Sequence, residues 1–85
     1  MTEQELLTSC TRILRDLLAD DAIVLSMTTT RGEVPGWDSF AYVTFVVALE
    51  IELDVKFRIA DIESFKSVGD IVSEAKRLVD GRHAV

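Results

Sequence analysis

Asp38-Ser39-Phe40-Ala41-Tyr42-Val43-Thr44-Phe45-Val46-Val47-Ala48-Leu49-Glu50-Ile51-Glu52-Leu53 follows directly on Val34-Pro35-Gly36-Trp37. Proline and glycine end whatever precedes them, and Asp38 is a strong N-cap residue, so the spacing predicts a helix over 38–53. At about 100° per residue, Tyr42, Phe45, Val46, Leu49 and Leu53 fall on one arc. Phe40, Val43, Val47 and Ile51 fall on a second arc roughly opposite. The first is a core stripe; the second either lies against another element or faces a partner. A β-strand is the weaker reading, since two-residue alternation is absent and Ala48-Leu49-Glu50 favours a helix.

Working outward, Glu3 to Leu18 carries apolar residues at Leu6, Cys10, Ile13, Leu14, Leu17 and Leu18, a helical stripe. Between this helix and the next lies a long connection, Asp20 to Trp37. It holds Thr28-Thr29-Thr30, Gly32 and Pro35-Gly36, with apolar Ile23, Val24, Leu25 and Met27 expected to pack partly on the core. A loop this long in so small a domain is often functional. Downstream, a short helix is predicted over about Ala60 to Phe65. Ser67 opens a last helix with Asp70 in the capping-box position, and Val68, Ile71, Val72, Ala75, Leu78 and Val79 form its stripe. Gly81 reads as its stop and 81–85 as a loose tail. The expectation is one domain over residues 1–85, structured from about 3 to 80, all-α, with three longer helices and one short one.

The chain has 85 residues, a formal net charge of −6 and 48% hydrophobic residues. A domain this short buries only about 60–65% of its unfolded surface, which leaves little room for a deep active site. The acidic balance argues against nucleic acid and towards basic partner surfaces. One cysteine, Cys10, excludes an internal disulfide and a cysteine-based zinc site. The one histidine, His83, sits beside the chain end. No metal site is expected. The apolar run from Phe40 to Leu49 is far shorter than the about 20 residues a membrane span needs. The acidic start, Thr2-Glu3-Gln4-Glu5, does not resemble a secretory signal, so the expected location is the cytoplasm.

Ser39 is the residue through which chemistry can enter. It falls immediately after the N-cap, where unpaired backbone N–H groups and the positive end of the helix dipole favour a phosphate. Capping alone would also explain an Asp-Ser pair. Catalysis by Ser39 is disfavoured: a serine nucleophile needs a base within reach, and Asp38 is a weak one at a usual pKa of about 3.9. The glycines are scattered and form no phosphate loop.

Val34-Pro35-Gly36-Trp37-Asp38-Ser39-Phe40 resembles the modification site of acyl carrier proteins and related thiolation domains. The likeness continues through Val43, Val46, Ala48-Leu49-Glu50, Glu52-Leu53, Val55 and Phe57, and returns at Ser67-Val68-Gly69-Asp70-Ile71-Val72. It covers roughly residues 3–80 in order and spacing. It implies that Ser39 carries 4′-phosphopantetheine, transferred from coenzyme A by a phosphopantetheinyl transferase using magnesium. Asp38 would belong to the transferase recognition motif. The protein would be a carrier of acyl or aminoacyl thioesters, not an enzyme, acting as a monomer. Its partners would be a loading ligase and a downstream transferase or synthase. By matching position, Phe40, Val43, Val47 and Ile51 would be the apolar part of a docking surface on the second helix, with Glu50 and Asp54 its acidic contacts. The sequence departs from the common pattern at Phe40, where leucine is usual. Asp-Ser-Phe is similar to D-alanyl carriers, and Trp37, Ala41, Thr44 and Ile51 suggest a discrete carrier of a specialised pathway over general fatty-acid synthesis. Tyr42, Phe45 and Leu49 are expected to fill or line a small cargo pocket. The rival reading is a helical adaptor that uses only the second-helix strip; a carrier that no longer accepts the arm is disfavoured by the intact Asp38-Ser39 pair.

Overall fold

The structure, a computed structural model, describes residues 1–82. Its helices are α1 (Glu3–Leu18), α2 (Ser39–Leu53), α3 (Ile59–Ser64) and α4 (Val68–Arg82), with one 3-10 turn at Arg31–Glu33. Three helices of 15 or 16 residues and one of 6 match the expected all-α architecture. α1 and α2, and α1 and α4, pack against each other around a common core.

α1 begins with a capping box that periodicity alone did not reveal. The Glu5 N–H donates to Thr2 Oγ1 at 3.1 Å, and the Thr2 N–H donates to Glu5 Oε1 at 2.8 Å. These bonds hold the Glu5 carboxyl below its usual range. Leu6, Cys10, Ile13 and Leu14 are buried as expected. Leu17 is not: it lies at the edge of the stripe and stays exposed, while Leu18 packs under Gly36.

After α1 and a turn at 21–22, burial alternates: Ile23 and Leu25 are buried in the core and Val24 between them is exposed. Arg15 Nε donates to the Ile23 carbonyl at 2.7 Å and fixes this segment to α1. The loop is then stitched to the start of α4. The Val68 N–H donates to Thr29 O and the Gly69 N–H to Met27 O, each at 2.8 Å. Two of the N–H groups that every helix leaves orphaned at its start are thereby satisfied by the loop between α1 and α2. Asp70 closes the same start, accepting from the Lys66 N–H at 2.8 Å and from the Ser67 N–H at 3.3 Å.

The expected stop at Gly81 is corrected by the structure. α4 runs through Gly81 to Arg82, and Gly81 has no left-handed φ to end it. Arg82 is therefore not tail: Nη1 donates to Leu53 O at 2.6 Å and Asp54 O at 2.8 Å, and pairs with the Asp54 carboxylate at 3.5 Å. These are carbonyls at the end of α2, where Asp54 turns left-handed at φ 54°. A cation there satisfies orphan acceptors and complements the helix dipole. Arg82→Ala is expected to lower stability by about 1 kcal/mol, read as a lower urea midpoint with an unchanged slope. The remainder of the expected tail, residues 83–85, lies outside the described residues. α3 sits one residue earlier than expected, at Ile59–Ser64, followed by Phe65, whose ring stands edge-on to Phe57 at 5.7 Å.

Candidate functional site

The site is built by a turn. Pro35 and Gly36 occupy the two central positions, Gly36 has φ +87°, and the Trp37 N–H donates to Val34 O at 3.2 Å. This is the type II pattern, which needs glycine at its third position. The turn sends Trp37 down into the core, 4% exposed, and leaves Asp38 and Ser39 on the surface. The Trp37 ring stands edge-on to Phe45 at 5.2 Å and tilts towards Tyr42 at 6.2 Å.

Asp38 is the N-cap of α2, as expected. Its Oδ1 accepts from the Ala41 N–H at 2.9 Å, and its carbonyl accepts the first helical bond, from the Tyr42 N–H, at 2.8 Å. Ser39 is the first residue of the helix. It is exposed, and its hydroxyl makes no hydrogen bond among the described residues. The capping work thus falls to Asp38 alone, and Ser39 Oγ is left available. Asp38→Ala is expected to lose about 1 kcal/mol. Asp38→Asn keeps an acceptor at the cap and should unfold within a few tenths of a kcal/mol of wild type. Chemical denaturation of the three proteins checks this.

Ser39 opens onto a groove of about 470 Å³ between the long loop, α2 and α3. Arg31, Tyr42, Glu63 and Lys66 shape it. The Arg31 guanidinium lies over the Tyr42 ring, 5.0 Å from its centroid, and the Tyr42 hydroxyl donates to Ile62 O at 2.7 Å, tying α3 to α2. Tyr42 is half-buried, and burial raises its phenol pKa. Of the residues expected at a pocket, Tyr42 lines this groove, whereas Phe45 and Leu49 are fully buried core. Arg31, Lys66 and Phe65 were not singled out as site residues. They come from two segments far apart in the chain, and no periodicity or motif joins them. The length of the loop was the one signal.

The second arc of α2 faces outward. Phe40 is 83% exposed, Val43 55%, Val47 46% and Ile51 76%. Glu50 is half-buried, and its Oε2 accepts from the Phe57 N–H at 2.7 Å, so this carboxylate pins the loop after α2. Asp54 remains exposed while it pairs with Arg82. Glu52 pairs with Arg12 across α1 and α2.

Cys10 is fully buried, and desolvation, with a smaller contribution from the Glu52 charge, pushes its thiol pKa up to about 12. No group of three or more His, Cys, Asp or Glu residues among the described residues is placed to hold a metal ion. No helix among the described residues is long and apolar enough to cross a membrane.

The arrangement of the four helices is that of the acyl carrier protein fold. The chain is similar to the solution structure of a holo acyl carrier protein from Geobacter metallireducens, with a TM-score of 0.82 and 29% sequence identity over 89% of this chain and 87% of that one. No family model and no curated protein matches the sequence.

Proposed function

We propose that the protein is a discrete carrier whose Ser39 Oγ takes 4′-phosphopantetheine as a phosphodiester. The observation that carries this is an exposed serine hydroxyl without a partner, at the first residue of a helix capped by its neighbour, in a fold shared with a holo carrier. The site fits such a group. The first N–H groups of α2 lack intrahelical partners, and Arg31 and Lys66 line the adjoining groove. When attached, the group supplies a thiol that holds acyl or aminoacyl cargo as a thioester. The chain's own residues hold it. Ser39 is the anchor, Asp38 sets the helix start, and one Asp38 oxygen is left uncapped for a transferase and its magnesium ion.

The outward arc of Phe40, Val43, Val47 and Ile51 is the docking strip for the enzymes that load and unload the arm, with Glu50 and Asp54 at its acidic end. Its apolar character, together with Trp37 and Phe40 at the site, favours dedicated partners of a specialised pathway over general fatty-acid synthesis. The test is intact mass after incubation with coenzyme A, magnesium and a broad-specificity transferase, with the adduct located by fragmentation. One pantetheine adduct on Ser39 supports the carrier, and an unmodified chain overturns it. The adaptor reading rests on the same exposed strip and requires no serine chemistry. Ser39→Ala separates the two readings: an adaptor keeps its partner binding in that variant and loses it in Val47→Asp. In the carrier, Val47→Asp should slow loading at least about tenfold, a loss of about 1.4 kcal/mol of interaction, while circular dichroism and the unfolding midpoint stay unchanged.

A further inference from the structure

Beside the groove lies a second and much smaller cavity of about 20 Å³. Arg31, Tyr42, Phe65 and Lys66 line both spaces, so the cavity adjoins the groove on which Ser39 lies. Trp37 forms a wall of the cavity, with Val68 and Ile71 of α4. The Trp37 indole N–H is the one buried side-chain polar atom left without a hydrogen-bond partner among the described residues. A buried donor left unsatisfied is costly, and native proteins rarely tolerate one. The neighbouring donor is already committed, since the Tyr42 hydroxyl bonds to Ile62 O. Arg31 and Lys66, at the junction of groove and cavity, form no ion pair among the described residues, so the entrance is biased towards oxygen-rich groups.

We propose that the Trp37 indole N–H is an internal receptor for a carbonyl or hydroxyl oxygen on the chain tethered to Ser39, whether an amide of the arm or the acyl cargo. This deepens the carrier reading and rests on it. Size supports an oxygen over a hydrocarbon. About 20 Å³ admits roughly one water-sized group, and an alkyl chain would have to push Trp37 off Phe45 in a packed core. A tethered chain that places an oxygen here gains a hydrogen bond to a donor that has no competing partner in the protein.

Trp37 is the sole tryptophan, so the protein shows one indole N–H resonance. That resonance is followed from apo to holo protein, and then with the arm thiol capped by a butyl thioether or acylated with butyryl, 3-hydroxybutyryl or octanoyl groups. A downfield shift already present in holo protein assigns the oxygen to the arm; one that appears only on acylation assigns it to the cargo. Either supports the receptor. An indole unmoved through the whole series overturns it. So does an indole unmoved in holo protein and then shifted equally by the butyl thioether and the butyryl thioester. Trp37→Phe keeps the ring contact and removes the donor. The amide shifts of Val68 and Ile71 between apo and loaded protein should shrink in that variant, and shifts of undiminished size would overturn the proposal. If no adduct forms at all, the mass measurement fails the carrier reading itself, whereas an adduct with a silent indole fails only this inference.

Discussion

Ser39→Ala is expected to abolish pantetheine attachment completely while leaving stability within about 0.5 kcal/mol of wild type. The two halves of this result have separate causes. The hydroxyl is the only atom removed, and it makes no hydrogen bond among the described residues, so the fold loses nothing that holds it together. The bond that starts α2 is made by Asp38 Oδ1 to the Ala41 N–H and survives the change. Chemistry has no fallback. Ser67 sits at the start of α4, but its Oγ accepts from the Asp70 N–H and its neighbours' N–H groups are bonded to loop carbonyls. A serine engaged in capping is a poor attachment point, so an adduct that persists in Ser39→Ala would contradict the assignment. Intact mass and a urea titration on the same sample read both halves.

Gly69→Ala is expected to be the most damaging small substitution in the chain. A Cβ at Gly69 would stand 2.4 Å from the Met27 carbonyl oxygen, a backbone atom that cannot swing aside as a flexible side chain can. Relief requires the loop to lift from α4, and this breaks the Gly69 N–H to Met27 O and Val68 N–H to Thr29 O bonds together. Overpacking of this kind costs about 1–3 kcal/mol. A domain of this length is stable by roughly 4–13 kcal/mol at the usual value per residue, so the melting temperature should fall by about 4–8 °C for each kcal/mol lost. Gly81→Ala is the comparison. It lies in the same helix, a Cβ there meets nothing within 4 Å, and alanine is the better helix former. It should be neutral or stabilising by up to about 1 kcal/mol. Equal gains at the two glycines would show that helix propensity, not contact with the loop, governs both sites.

The helices were legible because their apolar spacing is dense. Leu6, Cys10, Ile13 and Leu14 in α1 and Val68, Ile71, Val72, Ala75 and Val79 in α4 are buried as their periodicity predicts. Asp38 was legible as a cap for the same local reason. Contacts between distant segments were not. The end of α4 was misread because Gly81 is a common helix stop, and nothing near it in the sequence announces that Arg82 would reach the carbonyls of Leu53 and Asp54. Leu17 was placed on the core stripe because an ideal period does not mark how wide the buried stripe is, and Leu17 falls at its edge. The groove beside Ser39 was hidden because its walls, Arg31 from the long loop and Lys66 from the segment before α4, are brought together only by the stitching of that loop to α4.

The depth of Cys10 has a consequence for any thioester the protein holds. A carrier with a second accessible sulfur would leak: the cargo could pass to it by exchange, or the arm could be lost from service as a mixed disulfide. Exchange proceeds through the thiolate, and a sulfur with a pKa of about 12, sealed in the core, offers almost none at neutral pH. The core sulfur is therefore chemically insulated. A native thiol assay should count no fast-reacting sulfur in apo protein and one in holo protein, the second appearing only on unfolding.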